Sequence, residues 1–181
     1  MSKETALLVI DVQVGVVDWS EPAEEKSRVL ARINDLLSRA RASNTPIIYV
    51  QHDGYAGGPL AVGSPGWEIH PAIAPADGEM VIRKRASDAF YETPLKSELD
   101  ERGIKRLVVT GCRTQYCVDT TVRQATVMGY DVTLARDAHT TADSEALTAA
   151  QIIAHHNETL DDFGTDDHVS LVKESSEITF D

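Results

Sequence analysis

The sequence predicts an α/β fold in which a mainly parallel sheet is covered on both faces by helices. Short apolar runs alternate with segments whose apolar residues recur at helical spacing, the pattern of parallel strands joined by crossover helices. No linker, internal repeat or low-complexity tract divides the chain, so residues 1–181 are read as one domain with a full core. No strand runs into Gly-x-Gly-x-x-Gly, so the dinucleotide fingerprint of related sheets is absent.

The first strand is Ala6-Leu-Leu-Val-Ile10. A helix is expected over 21–42, with Ser20 as N-cap, Pro22 in the first turn, and Val29, Ile33, Leu36, Leu37 and Ala40 on one face. Pro46-Ile-Ile-Tyr-Val50 is the second strand. Residues 53–78 are rich in Gly and Pro and aperiodic, which reads as a long functional or mobile loop. Residues 80–82 form a short third strand, and 94–102 a helix closed by Gly103. Residues 107–110 form the fourth strand. The helix after it carries Val118, Thr121, Val122, Ala125 and Met128 and ends at Gly129. Residues 130–135 are the fifth strand, 144–160 a helix, and 169–172 a last strand.

The net charge of −12 comes without a basic stripe, which argues against nucleic acid as a partner. No apolar run is long enough to span a membrane, and the residues before the first strand hold no signal-peptide pattern. Two cysteines four residues apart make neither a disulfide framework nor a structural zinc site. A cytoplasmic protein with reduced thiols is the expectation.

Three reactive residues stand where strands end: Asp11 after the first, Lys84 after the third, and Cys117 at the turn from the fourth strand into a helix. The carboxyl edge of a parallel sheet is where such folds bind ligands, so carboxylate, ammonium and thiol are expected to meet in one crevice. Free N–H groups and the dipole at the helix start favour a thiolate on Cys117, which makes it the candidate nucleophile. Asp11 is then a base for the thiol proton and an acid for a leaving amine.

The chain resembles the isochorismatase-like cysteine hydrolase superfamily in several motifs taken in order: Leu8-Val-Ile-Asp11-Val-Gln13, Val81-Ile-Arg-Lys84, Asp88-Ala-Phe90-Tyr-Glu-Thr-Pro-Leu95, Leu107-Val-Val-Thr-Gly111, Thr114-Gln-Tyr-Cys117-Val, Gly129-Tyr-Asp-Val and Asp137-Ala. The resemblance implies a three-layer α/β/α sandwich and a catalytic set of Asp11, Lys84 and Cys117. It implies a cis peptide at Cys112–Arg113 and an oxyanion hole from the backbone N–H groups of Arg113 and Cys117. Members without the cysteine cleave the vinyl ether of isochorismate, so Cys117 points instead to C–N bonds in small amides, lactams or carbamoyl compounds. A homodimer is implied by the resemblance alone, and no cofactor is called for. His52-Asp53, Gly66-Trp67-Glu-Ile-His70-Pro, Cys117-Val-Asp-Thr-Thr-Val-Arg123 and Ile152-Ile-Ala-His-His156-Asn157 resemble the bacterial subgroup that includes streptothricin hydrolase.

Gln13, Trp19, His52, Trp67, Phe90 and Tyr116 are the candidates for substrate contact; for the two tryptophans and Phe90 core packing is the alternative. Metal-binding relatives use Asp-x-His, whereas His52-Asp53 is in the opposite order, so no metal is expected and His52 and His70 are read as loop or pocket residues. His155 and His156 are helix residues, and His139 is expected to support the Asp137 loop. Cys117 and Arg123 have the spacing of cysteine phosphatases. The five residues between them include Asp119, which repels phosphate, and apolar residues that fit a helix face.

Overall fold

The computed structural model describes residues 4–18 and 23–180. Its sheet is built from β1 (Thr5–Ile10), β2 (Ile47–His52), β3 (Met80–Lys84), β4 (Arg106–Cys112), β5 (Asp131–Thr140), β6 (Phe163–Gly164) and β7 (Val169–Lys173). Their order is β3-β2-β1-β4-β5-β7-β6. All pairs are parallel except β6 with β7. The helices are α1 (Val14–Val17), α2 (Ala23–Ala42), α3 (Leu95–Glu101), α4 (Asp119–Val127) and α5 (Ala149–Thr159).

β1 is buried at every position, which explains the unbroken apolar run from Ala6 to Ile10. Leu7 and Val9 pack with Ile33, Leu36 and Leu37 of α2 on one side of the sheet. Ala6, Leu8 and Ile10 pack with Leu95 and Leu99 of α3 and Val122 and Ala125 of α4 on the other. These are the three layers that the sequence implies. Burying a leucine such as Leu8 or Leu36 stabilises by about 1.5–3 kcal/mol.

The expected apolar face of α2 is buried as read. Its expected start, with Ser20 and Pro22, lies outside the described residues. α3 and α4 both end in a glycine with positive φ, Gly103 (68°) and Gly129 (92°). In each, the residue after the glycine closes back onto the helix: Ile104 N–H to Leu99 O at 2.9 Å and Tyr130 N–H to Ala125 O at 3.0 Å. Only a residue without Cβ takes that backbone without strain.

Other boundaries move. α5 begins at Ala149 rather than Ser144, because Thr148 caps it and Gln151 returns the bond to the Thr148 N–H. β3 runs on through Lys84, so the lysine is the strand's last residue. β5 extends past Ala135 to Thr140 through a bulge, where the register jumps from Val109↔Leu134 to Gly111↔His139. Asp137 fixes the bulge by accepting from Ser175 N–H (2.8 Å) and Oγ (2.9 Å) and pairing with Arg32 (3.1 Å).

The 53–78 segment is not loose. It bridges back through Gln13↔Ile69 and pairs Gly54↔Ala61, and it contains a 3-10 turn at Pro71–Ile73. No helix among the described residues is long and apolar enough to cross a membrane.

Candidate active site

The strand order reverses between β1 and β4, and such a switch point opens a crevice at the carboxyl ends of the strands. Asp11 leaves β1 there with φ 49°, a left-handed conformation that aspartate tolerates better than most residues. Gly111 in β4 lies against β1 at the same point; a Cβ on it would run into the Ile10 carbonyl. A glycine therefore lets the Asp11 and Cys117 strands close up.

Lys84 reaches the crevice from β3, across the end of β2. Its ammonium lies 2.6 Å from Asp11 Oδ2, 2.9 Å from the Ala86 carbonyl, 3.2 Å from Cys117 Sγ and 3.4 Å from His52 Nδ1. The side chains of Lys84 and Asp11 are 0 % and 3 % exposed, so the ion pair is withdrawn from water. The close contact of opposite charges is what holds the pair. The Cys117 thiol lies beside the same carboxylate, so Asp11 faces both the ammonium and the sulfur.

Burial pulls the Lys84 pKa down, but the Asp11 charge and the contacts with Asp11 and Cys117 outweigh it and the net shift is upward, so the ammonium is kept. Burial, and next the Asp11 charge, push the Cys117 thiol up to about 12 against the pull of Lys84. This direction runs against the thiolate expected from the helix terminus. Cys117 lies in a single π-helical turn, Thr114–Val118, that runs into α4. Dipole and ammonium there do not overcome burial beside a carboxylate, and the resting group is the thiol.

The Cys112–Arg113 peptide is cis, and the Arg113 N–H donates to no acceptor among the described residues. A pocket of about 190 Å³ lined by Asp53, Arg83, Lys84, Arg85, Tyr91 and Glu92 abuts the lysine.

The other candidates separate. Gln13 is a brace rather than a substrate contact: it is fully buried, donates to the carbonyls of Trp67 (2.7 Å) and His52 (3.0 Å), and accepts the His52 N–H (2.9 Å). Its amide is the two-sided group that can fasten the 53–78 segment to β2. Phe90 is in the core, stacked on Tyr130 at 5.9 Å, and does not wall the crevice. Trp67 donates from its indole to Asp53 (2.9 Å) and lies under the Arg83 guanidinium, so its ring fastens the segment to β3. Trp19 lies outside the described residues. His52 touches Lys84, and burial followed by the lysine charge lowers its pKa. Tyr116, beside Cys117, is 54 % exposed.

His70 accepts the Ala72 N–H and sits 3.6 Å from Asp18. No group of three or more metal-ligating side chains occurs among the described residues. Arg123 is held by Asp119 (2.9 Å) over the Phe163 ring (4.4 Å), and the residues between it and Cys117 are helical, unlike a loop wrapped around phosphate. His156 accepts no role at the crevice: it bonds the Ile152 carbonyl on its own helix, with His155 against its ring. His139 does not support the Asp137 loop directly. Its nitrogens bond Thr114 Oγ1 and Asn157 Oδ1, both at 2.9 Å, a link that sequence reading missed because the three residues are far apart in the chain.

A family model described as the isochorismatase domain matches residues 5–157. Streptothricin hydrolase of Streptomyces noursei is 43% identical over 141 residues, covering 78% of this chain and 56% of the relative. Ureidoacrylate amidohydrolase of Stutzerimonas stutzeri is 30% identical over 189 residues, covering 82% and 75%. The chain spans about half the length of the streptothricin hydrolases it matches (56% and 51%). A crystal structure of an isochorismatase from Pseudomonas putida KT2440 superposes with a TM-score of 0.84 at 32% identity, covering 97% of this chain and 90% of the other.

Proposed function

This chain belongs to the isochorismatase family, and we propose that within it the protein is a cysteine hydrolase that cleaves a C–N bond of a small amide, lactam or carbamoyl compound. The observation that carries the reading is the Lys84 ammonium in contact with both Asp11 Oδ2 (2.6 Å) and Cys117 Sγ (3.2 Å). The names of the streptothricin and ureidoacrylate relatives support the bond class.

The steps follow from the raised thiol. As Cys117 Sγ attacks the substrate carbonyl carbon, its proton passes to Asp11, and Lys84⁺ stabilises the developing sulfur charge. The Arg113 and Cys117 N–H groups are the proposed donors to the carbonyl oxygen as it becomes an oxyanion. Collapse breaks the C–N bond, and Asp11 returns the proton to the leaving nitrogen, which departs as ammonia or amine. Water, deprotonated by Asp11, then attacks the thioester; the acid leaves and the proton returns to Cys117. Of the substrate-contact candidates, His52 and Tyr116 remain in this proposal.

The test is a panel of amides, lactams and carbamoyl compounds read by ammonia or amine release, with rapid quench to trap an acyl adduct on Cys117. Cys117→Ala is expected to abolish release with the fold kept. Isochorismate turnover undiminished in Cys117→Ala, with no adduct from any amide, would refute the reading and favour vinyl-ether hydrolysis.

A further inference from the structure

We propose that His139 is a positioning residue for the nucleophile: bonded to Thr114 on one side and Asn157 on the other, it holds the turn that carries Cys117 against the end of β5. The inference rests on Cys117 being the nucleophile, but its test needs no substrate.

The turn requires a hold from outside. It is wound as a π-helical turn, a rare form that occurs mostly as single turns within α-helices. The closing bond, Val118 N–H to Arg113 O, is long at 3.3 Å. Thr114 opens this turn three residues before Cys117 and is fully buried. Displacing Thr114 therefore displaces the thiol relative to Asp11 and Lys84, which come from other strands and would not follow.

The relay from Thr114 has one direction. Asn157 Nδ2 lies 3.2 Å from the Arg136 carbonyl, which can only accept. That turns Oδ1 toward His139 Nε2, so Nε2 carries the hydrogen. Nδ1 then presents a lone pair, and the Thr114 hydroxyl donates to it. Burial lowers the ring's pKa to about 4, which keeps it neutral with this assignment. The relay runs Thr114 hydroxyl, His139, Asn157, Arg136 carbonyl, and every member has one role. The β5 bulge is what makes it fit, because the register jump puts His139 opposite Gly111 at the end of β4. A buried histidine needs a partner at each nitrogen in any case; what sets this one apart is that one partner opens the turn that carries Cys117.

The chain has two cysteines, so protein labelled with ¹³C at cysteine Cβ gives two signals, assigned by Cys117→Ala. Thr114→Val keeps the shape and removes the donor; Thr114→Ser keeps the donor. In the folded protein, Thr114→Val is expected to shift or split the Cys117 signal while Cys112 stays in place, and Thr114→Ser to restore it. With an active amide in hand, Thr114→Val should lower kcat roughly 10- to 100-fold with KM little changed, the scale expected for an ångström-sized misplacement. Should Thr114→Val not fold, Asn157→Leu, which breaks the far end, is expected to move the Cys117 signal in the same sense. Signals in the folded variants superimposable on wild type, or both cysteines moving together, would overturn the proposal. A moved Cys117 signal with no amide turned over would leave it standing while the hydrolase reading fails.

Discussion

The protonation state of Cys117 decides between two kinds of cysteine chemistry, and it can be measured. A thiol pushed up to about 12 has roughly one part in ten thousand as thiolate at pH 8, whereas a thiol near its ordinary value of 9.0 has about one tenth, a roughly thousandfold difference. Alkylation of Cys117 by iodoacetamide, mapped by peptide mass, should therefore rise about tenfold per pH unit from pH 7 to 10 without a plateau. Removing the carboxylate sharpens the test. In Asp11→Asn the charge that opposes the thiolate is gone and Lys84⁺ remains 3.2 Å from the sulfur. Alkylation at pH 7 should then rise by about tenfold or more, the result of lowering the thiol by one unit or more. Amide hydrolysis in the same variant should be lost, because the proton acceptor and donor has gone. A wild-type alkylation profile that levels off below pH 8, or an Asp11→Asn variant slower to alkylate than wild type, would refute a resting thiol served by a general base.

His139 has a pKa lowered from 6.5 to about 4, so between those values the unfolded chain binds the proton and the folded one does not. Its contribution to stability is whole above pH 6.5 and is lost as pH falls toward 4, by about 1.4 kcal/mol per unit and roughly 3 kcal/mol in all. Urea unfolding of wild type and His139→Gln at pH 7 and pH 4.5 should show the wild type losing more; parallel losses would remove this account. Gln13→Leu removes the partner of the His52 carbonyl and N–H, while the Trp67 carbonyl keeps its bond from Gln51 (2.9 Å), and should lower unfolding stability by about 1–3 kcal/mol, read as a lower urea midpoint, while an unchanged midpoint would show the brace to be idle. The homodimer, expected on family resemblance, should appear in light scattering at micromolar concentration, and a monomer throughout would dismiss it.

The sheet is legible because most of its strands are short apolar runs and two of its helices, α3 and α4, end at glycines. β1 is read at once, since burial on both faces leaves only Thr5 at its start polar. β5 was cut short at Ala135 because Arg136 and Asp137 interrupt the apolar pattern. They are tolerated in the strand only by the bulge and by the bonds of Asp137 to Ser175, partners far along the chain. β6 is two residues long and antiparallel, with no periodicity to find. In the crevice, Asp11, Lys84 and Cys117 stood out as reactive residues at strand ends, and the strand order brings them together. Gln13 and Phe90 misled because residue type says what a side chain can bind, and their partners come from folding of the 53–78 segment and from Tyr130. The thiol's state is hard to read for a related reason: a helix dipole is visible in sequence, but burial beside a carboxylate is tertiary.

Topology also explains why the central cation is a lysine. β2 lies between the strands of Lys84 and Asp11, so the cation has to cross a strand end and arrive on a long, thin stem. There it meets four acceptors, Asp11, the Ala86 carbonyl, Cys117 and His52, with three hydrogens to share. The carboxylate and carbonyl are the closest and the His52 nitrogen is the farthest at 3.4 Å. In the proposed mechanism the thiol proton moves to Asp11, and negative charge leaves the carboxylate and appears on sulfur. A rotating ammonium can follow that charge without moving its stem, because its three hydrogens are equivalent. A planar guanidinium holds its donors in one fixed fork and is too wide for a site with no exposed side-chain surface on the lysine. The same argument places His52: its pKa is lowered by burial and by the lysine charge, so it makes the longest of the four contacts and adds no second positive charge.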